Sequence, residues 1–463
     1  MALSGGIPTA TELAAEQRRS WLPAWGEFAH RLAFGDLPGA VMEHAKLVLL
    51  DTIGAIIAGM QEPEMKALVM RTELTGHSAL IGGAQTGAPQ QVALLNGTAG
   101  TMLEIDEGNQ FARGHPAIQV LPALLAVAAS ERLSGQQLIR ALVLGYEFGA
   151  RLGAASKLNV AMHPHGTWGA PAAALAVAAL REASQPSLVQ TVNIGSSFAL
   201  STSRRTMLEG ATVRNTYSGF SNLMGILASD FERSGFTGEA DGVASVYSGI
   251  VADEFSPDVM LNGLGRDWEI ARNYFKSHAA CRYTHSALDA LLQIMSDHAG
   301  RLVADAIEAI EVDTYIWAAQ LNNSDPDNML AAKFSLPFAL ATTIQHGEPN
   351  LNAFRADAIA DPVTRKLSQK VRLREDVSMT AMLPDKRPSR VCVHLKTGEV
   401  LSAQTFTNRG DAESPYSRDD IILKFRKNVA PVWGEGACEA VIDDVMSIDQ
   451  AKNLGALNEK LSL

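Results

Sequence analysis

Between Pro38 and Leu200 the sequence offers almost nothing that a β-sheet could use. Apolar residues recur at three- and four-residue spacing from Val41 to Met60, and again over Gln90–Leu103, Ile118–Ala129, Ser134–Ala155, Thr167–Ala183 and Ser187–Leu200. Gly, Ser or Pro bounds the segments, and Ala, Gly and Ser recur within them, which lets helices approach closely. Helices this apolar must be buried on most of their circumference, so the first half reads as one all-helical domain. A short helix over Trp21–Ala33 follows an irregular start, and no convincing strand is expected before about residue 250.

Past Lys276 the pattern changes. Ile307–Trp317 and Ser389–Lys396 alternate with period two, and Thr397-Gly398 turns the second of these into Val400–Phe406 as a hairpin. Ser286–Ala299 and Ala331–His346 read as helices among these strands, and Arg418–Asn428 and Asp443–Leu457 as helices that return to the first domain. The fold class is therefore mostly α. Residues 1–270, completed by 411–463, form a large all-helical domain from both chain ends, and residues 271–410 form a smaller α+β domain.

At 463 residues with 47% hydrophobic and 19% charged side chains, the chain has enough apolar material for a large core. A net charge of −11 without a basic run argues against nucleic acid as a partner. The longest apolar run, Ala170–Leu180, is about half of a membrane span, so no membrane partner is expected. Cys281, Cys392 and Cys438 lie far apart without metal-ligand spacing, and the first residues lack a leader pattern; both point to the cytoplasm. There is no dinucleotide or phosphate loop and no serine-hydrolase elbow, which leaves acid/base chemistry without a cofactor or metal.

The polar residues suited to such chemistry are concentrated. Glu104, Asp106 and Glu107 precede Arg113-Gly114-His115-Pro116, and His163-Pro164-His165 follows after the intervening helical hairpin. Histidine is the usual proton carrier near neutral pH, and arginine holds carboxylates bidentately. Arg204, Arg205 and Arg214 fall within about eleven residues, and Lys276, His278, Cys281, Arg282 and His285 gather at the expected domain junction, where ligand sites are common. Cys281 has no base beside it in sequence and reads as pocket lining rather than nucleophile. Each pattern also has a structural reading: a loop histidine capping a helix, a solvated acidic terminus, arginines on a polar face.

Taken together these residues bring out a resemblance to the MmgE/PrpD family. It is carried by L-L-D-T-I-G-A-I-I-A-G (49–59), L-L-N-G-T-A-G-T-M-L-E-I-D-E (94–107), R-G-H-P (113–116), M-H-P-H-G-T-W-G (162–169) and G-F-T-G (235–238). The stretch 274–285, A-K-F-S-L-P-F (332–338) and N-R-G-D (408–411) extend it, so the likeness spans about residues 26–430. The resemblance implies a helical domain with a smaller α+β lid, a homodimer, and an active site between the domains that works without metal or organic cofactor. It places His115 and His163 at active-site histidines, Lys276 at a substrate-facing lysine and Asp106 in the acidic motif. It also marks departures: Glu104 replaces an aspartate, Arg205 stands for a lysine, and Cys281 and Phe338 replace a histidine and a tyrosine of the decarboxylases.

The expectation is a cofactor-independent lyase, foremost a dehydratase of a small di- or tricarboxylate. His115 or His163 would take the proton α to a carboxylate, with Glu104 or Asp106 orienting a histidine. Arg113, Arg205, Lys276, Cys281 and Arg282 would line or bind the substrate. An epimerase or racemase, a decarboxylase of a related polycarboxylate, and a non-catalytic metabolite-binding homologue are the alternatives.

Overall fold

The computed structural model describes residues 10–463, with side chains from Trp21 onward. Of the irregular start expected before Trp21, residues 1–9 lie outside the described residues and residues 10–20 are helical, which corrects that expectation. The first helix, Ala10–Arg31, is longer than its apolar pattern indicated.

The helical part is layered around Gly169–Leu180, which is buried along its whole length. Pro116–Ser130, Gly135–Ala155, Gln185–Ser196 and Tyr217–Arg233 all pack against it. Close crossing explains the small residues: a Cβ on Gly225 would meet the Ala173 Cβ at 2.3 Å, and one on Gly219 would meet Leu94 O at 2.3 Å. Helix starts follow local chemistry. Pro89 and Pro116 open their helices, where a missing N–H costs nothing, and Ser134 with Gln137 forms a reciprocal cap ahead of Gly135–Ala155.

The C-terminal helix Arg418–Trp433 packs on Gly39–Met60, so the end of the chain joins the helical part. Lys424 reaches through this contact to Asp51 Oδ1 at 2.5 Å and to Ile105 O at 2.6 Å, bracing the acidic turn that leads into the site. The expected helix 443–457 is two pieces, Glu435–Met446 and Gly455–Leu461, separated by a 3₁₀ turn over Ile448–Gln450.

The α+β part holds a four-stranded mixed sheet in the order Val371–Glu375, Ile307–Thr314, Ser389–Leu395, Val400–Thr405. The first pair is parallel and the others antiparallel, with Glu311 opposite Cys392 and Cys392 opposite Ser402. His285–Asp297 covers the sheet. Three short strands before residue 250, one of them paired with a fourth just beyond it, correct the expectation of a strand-free first half. Ser78–Leu80 pairs with Gln85–Gly87, and Ser156–Leu158 with Ala252–Phe255; at three or four residues, each is too short to alternate recognisably. No helix among the described residues is long and apolar enough to cross a membrane.

Candidate active site

The turn after Pro89–Gly100 folds back on itself to place its acids. Glu104 and Arg113 both adopt φ +54°, a left-handed conformation uncommon for residues with a Cβ and held here by the surrounding hydrogen bonds. Asn109 and Gly114 pair through their backbones, while Asn109 Oδ1 accepts from the N–H groups of Phe111 and Ala112. Gly108 and Tyr274 exchange backbone hydrogen bonds at 3.0 and 2.7 Å, which ties the approach to Lys276 to this turn. A third backbone pairing, Met162 with Ser203, fixes His163 beside the arginine segment: His163 N donates to Thr202 O and Arg204 N to Ala161 O.

These elements enclose a cavity of about 370 Å³, lined from both the helical and the α+β parts. That volume lies toward the small end of ligand pockets, which run from roughly 300 to 1,000 Å³. His115, His163 and His165 share one wall. His165 stands edge-on between the other two rings, with centroid distances of 4.7 Å to His115 and 4.9 Å to His163.

Asp106 sits behind His115, its Oδ2 2.7 Å from Nδ1. A carboxylate accepts, so Nδ1 carries the proton and the Nε2 lone pair is left for a base. Asp106 Oδ1 is buried without a hydrogen-bond partner, and the Lys276 ammonium stands 4.0 Å from it.

Glu104 is the centre of a buried charge cluster. Arg214 donates to Oε1, and Lys276 donates to Oε2 and to the Glu104 carbonyl, both at 3.2 Å. Burial alone would raise the Glu104 carboxyl, but the Arg214 and Lys276 cations overcome it and hold the group well below the usual carboxylate range. Burial, reinforced by Arg214, pushes His163 and His165 well below the ordinary histidine value, so both rings are neutral at neutral pH. His163 Nδ1 accepts the His165 backbone N–H at 3.0 Å, and the Arg214 Nε–H faces Nε2 at 3.5 Å. Burial also pushes the Cys281 thiol up to about 11, which leaves a neutral, weakly nucleophilic wall residue.

Of the residues singled out from sequence, Glu104, Arg113, His115, His163, Cys281 and Arg282 line the cavity, and Asp106 stands directly behind His115. Arg113 donates to the carbonyls of Gly153 and Ser156, and Arg282 is tied to Asp411 and Asn408, holding the 408–411 loop. Lys276 is fully buried against Glu104 rather than on the cavity surface. Arg205 is a correction: its side chain is 80% exposed and pairs with Glu209 one helical turn on, pointing away from the cavity. Its neighbour Arg204 lines the wall instead. Phe338 is buried against Phe354, 6.2 Å between ring centroids, and Phe334 is the phenylalanine at the cavity.

Arg214, His165 and Arg204, named in the sequence clusters but given no individual site role, also line the cavity, as does Arg387, which sequence reasoning did not select. The first three lay inside recognised clusters without a sign of their direction, whereas Arg387, in an ordinary K-R-P-S-R run, carried no signal. Glu107 is structural: its carboxylate accepts from Tyr146, from Ala117 N and from Asn273. Among the described residues no group of three or more His, Cys, Asp or Glu side chains is placed to hold a metal ion.

The chain is similar over most of its length to a cis-aconitate decarboxylase of Aspergillus terreus, 23% identical over 94% of both chains. A cis-aconitate decarboxylase-like protein, oryM, of Aspergillus oryzae is 23% identical over 91% of this chain and 93% of its own. The Homo sapiens cis-aconitate decarboxylase is 24% identical over 93% and 92%. The MmgE/PrpD N-terminal domain matches residues 24–256, which include the acidic turn, the histidine wall and the arginine segment. The MmgE/PrpD C-terminal domain matches residues 278–448, with the opposite wall and the mixed sheet, and with both matches in sequence order the chain belongs to the MmgE/PrpD family.

Proposed function

We propose that the protein is a lyase acting on a small di- or tricarboxylate through its own acid and base side chains, with dehydration as the leading reaction. The observation that carries this reading is the His115–Asp106 pair, with Nε2 left free on the wall of a small cavity whose lining includes five arginines. His115 Nε2 takes the proton α to a substrate carboxylate. The electron pair released forms the carbon–carbon double bond as the β-hydroxyl leaves, and the His115 imidazolium returns its proton to that oxygen, so that unsaturated acid and water result. Asp106 supports the imidazolium while it exists. His163 and His165, neutral at neutral pH, contribute polar N–H and ring contacts rather than strong acidity.

A decarboxylase reading is favoured by the names of the relatives. In that reaction the carbon–carbon bond breaks with loss of carbon dioxide, and a protonated His115 delivers its proton to the resulting carbanion. Cys281, at the position where the resemblance expects a histidine, supports dehydration as the first choice. Homodimerisation is part of the proposal; a dimer would have twice the 49.4 kDa chain mass in light scattering.

The experiment is proton NMR of the protein in D₂O with hydroxy- and unsaturated polycarboxylates. Formation of an unsaturated acid supports the dehydratase, and loss of carbon dioxide the decarboxylase. Deuterium exchange with stereochemical scrambling and no lost atoms would replace both by an epimerase. Acid binding that persists in H115Q without turnover by the wild type would leave a binding protein.

A further inference from the structure

Five arginines line the cavity, and their charges are not equally compensated. Arg214 pairs with Glu104 and Arg282 with Asp411. Among the described residues Arg113, Arg204 and Arg387 have only uncharged acceptors: backbone carbonyls for Arg113, Gln320 Oε1 at 3.2 Å for Arg204, and Gln110 O at 2.9 Å for Arg387. The Nε–H groups of Arg204 and Arg387 are buried without a partner among the described residues, and Arg387 as a whole is only 6% exposed. None of these three guanidinium groups has a carboxylate partner among the described residues, and an uncompensated cation on a cavity wall favours an anion in that cavity.

Aromatic rings hold these guanidinium planes in place. Arg204 lies 4.2 Å from the Trp317 ring centroid and Arg387 5.3 Å from that of Tyr283, and both rings also line the cavity. Asp253 is on the exposed rim, and Lys157 is paired with Glu254. The other cations near the histidines, Lys276 and Arg214, are already occupied by Glu104. The cavity therefore has a compensated end at Glu104 and an uncompensated cationic end at the three arginines.

We propose that Arg113, Arg204 and Arg387 form a specificity-determining carboxylate subsite that takes the substrate carboxylate remote from the carbon attacked by His115. The proposal rests on the acid/base reading above and names the residues that hold the second carboxylate of its substrate. The acid carries at least two carboxylates, one beside the reacting carbon and one held by the fixed arginine forks. A monocarboxylate leaves these charges uncompensated and is discriminated against.

The test is calorimetric titration of the full chain with propane-1,2,3-tricarboxylate and with butyrate, for the wild type, R204Q, R387Q and R205Q. The tricarboxylate should bind at least about tenfold tighter than butyrate, and R204Q and R387Q should each weaken it about tenfold or more. R205Q should leave it within about twofold, since Arg205 is exposed. With the reacting acid, R204Q and R387Q should raise KM by a similar factor while kcat stays within about threefold. If R387Q fails to fold, the half-buried Arg204 decides through R204Q. Unchanged tricarboxylate affinity and KM in folded R204Q, with wild-type turnover intact, overturns the subsite alone. A wild type that binds and converts no carboxylic acid overturns the functional reading together with it.

Discussion

Replacing Asp106 with asparagine separates catalysis from folding at one atom pair. The carboxylate accepts from His115 Nδ1 at 2.7 Å, and it does not line the cavity. Asparagine has nearly the same shape, but it removes the negative charge that stabilises the imidazolium, and its amide N–H favours the wrong tautomer. Positioned acid/base groups contribute about 10²- to 10⁴-fold. At about 1.36 kcal/mol per factor of ten, D106N should therefore raise the barrier by about 3–5 kcal/mol. KM should stay within about threefold, because no substrate contact is lost. Stability should fall little, since Asp106 Oδ1 has no hydrogen-bond partner to lose among the described residues. The assay is steady-state kinetics on the acid identified by NMR, alongside thermal unfolding. Turnover within fivefold of wild type, or a loss matched by unfolding, would refute the assignment of His115 as an Asp106-oriented base.

Other outcomes follow from the same geometry. E104Q leaves Arg214 buried without its counter-charge and Lys276 with only Asp106 4.0 Å away, and should cost about 3–5 kcal/mol in urea unfolding; a loss below about 1 kcal/mol would contradict the cluster. Because the folded Glu104 carboxyl lies below its ordinary value of 4.5, its contribution is complete above that pH and is lost as pH falls toward the folded value. The wild type should thus lose stability more steeply than E104Q on acidification below about pH 4.5, and parallel profiles would refute the assignment. Cys281, pushed up to about 11 by burial, should resist iodoacetamide at pH 8 in the native protein and react after unfolding, as read by mass spectrometry; rapid native labelling would contradict its burial. R205A should change stability by less than about 0.5 kcal/mol and leave turnover within twofold, since it removes only an exposed pair with Glu209.

The sequence by itself determined the helices and most of the sheet, because amphipathic period and Gly or Pro punctuation act over a few neighbouring residues. Ile307–Thr314 and the hairpin of Ser389–Leu395 with Val400–Thr405 were legible for that reason. Val371–Glu375 was not: it is a five-residue edge strand whose exposed positions carry charge. His115 and His163 were legible as candidate site residues because each precedes a proline, in motifs that resemble a family. Only the tertiary structure decided which charges cancel. Glu104 meets Arg214 from 110 residues away and Lys276 from 172, and Gln110 meets Arg387 from 277. Arg204 and Arg205 are adjacent and chemically identical, yet one lines the cavity and the other faces solvent. Local pattern identifies a polar turn, but the partner of a buried charge is set by how distant elements pack against that turn, and this packing determines which cations remain free for a ligand.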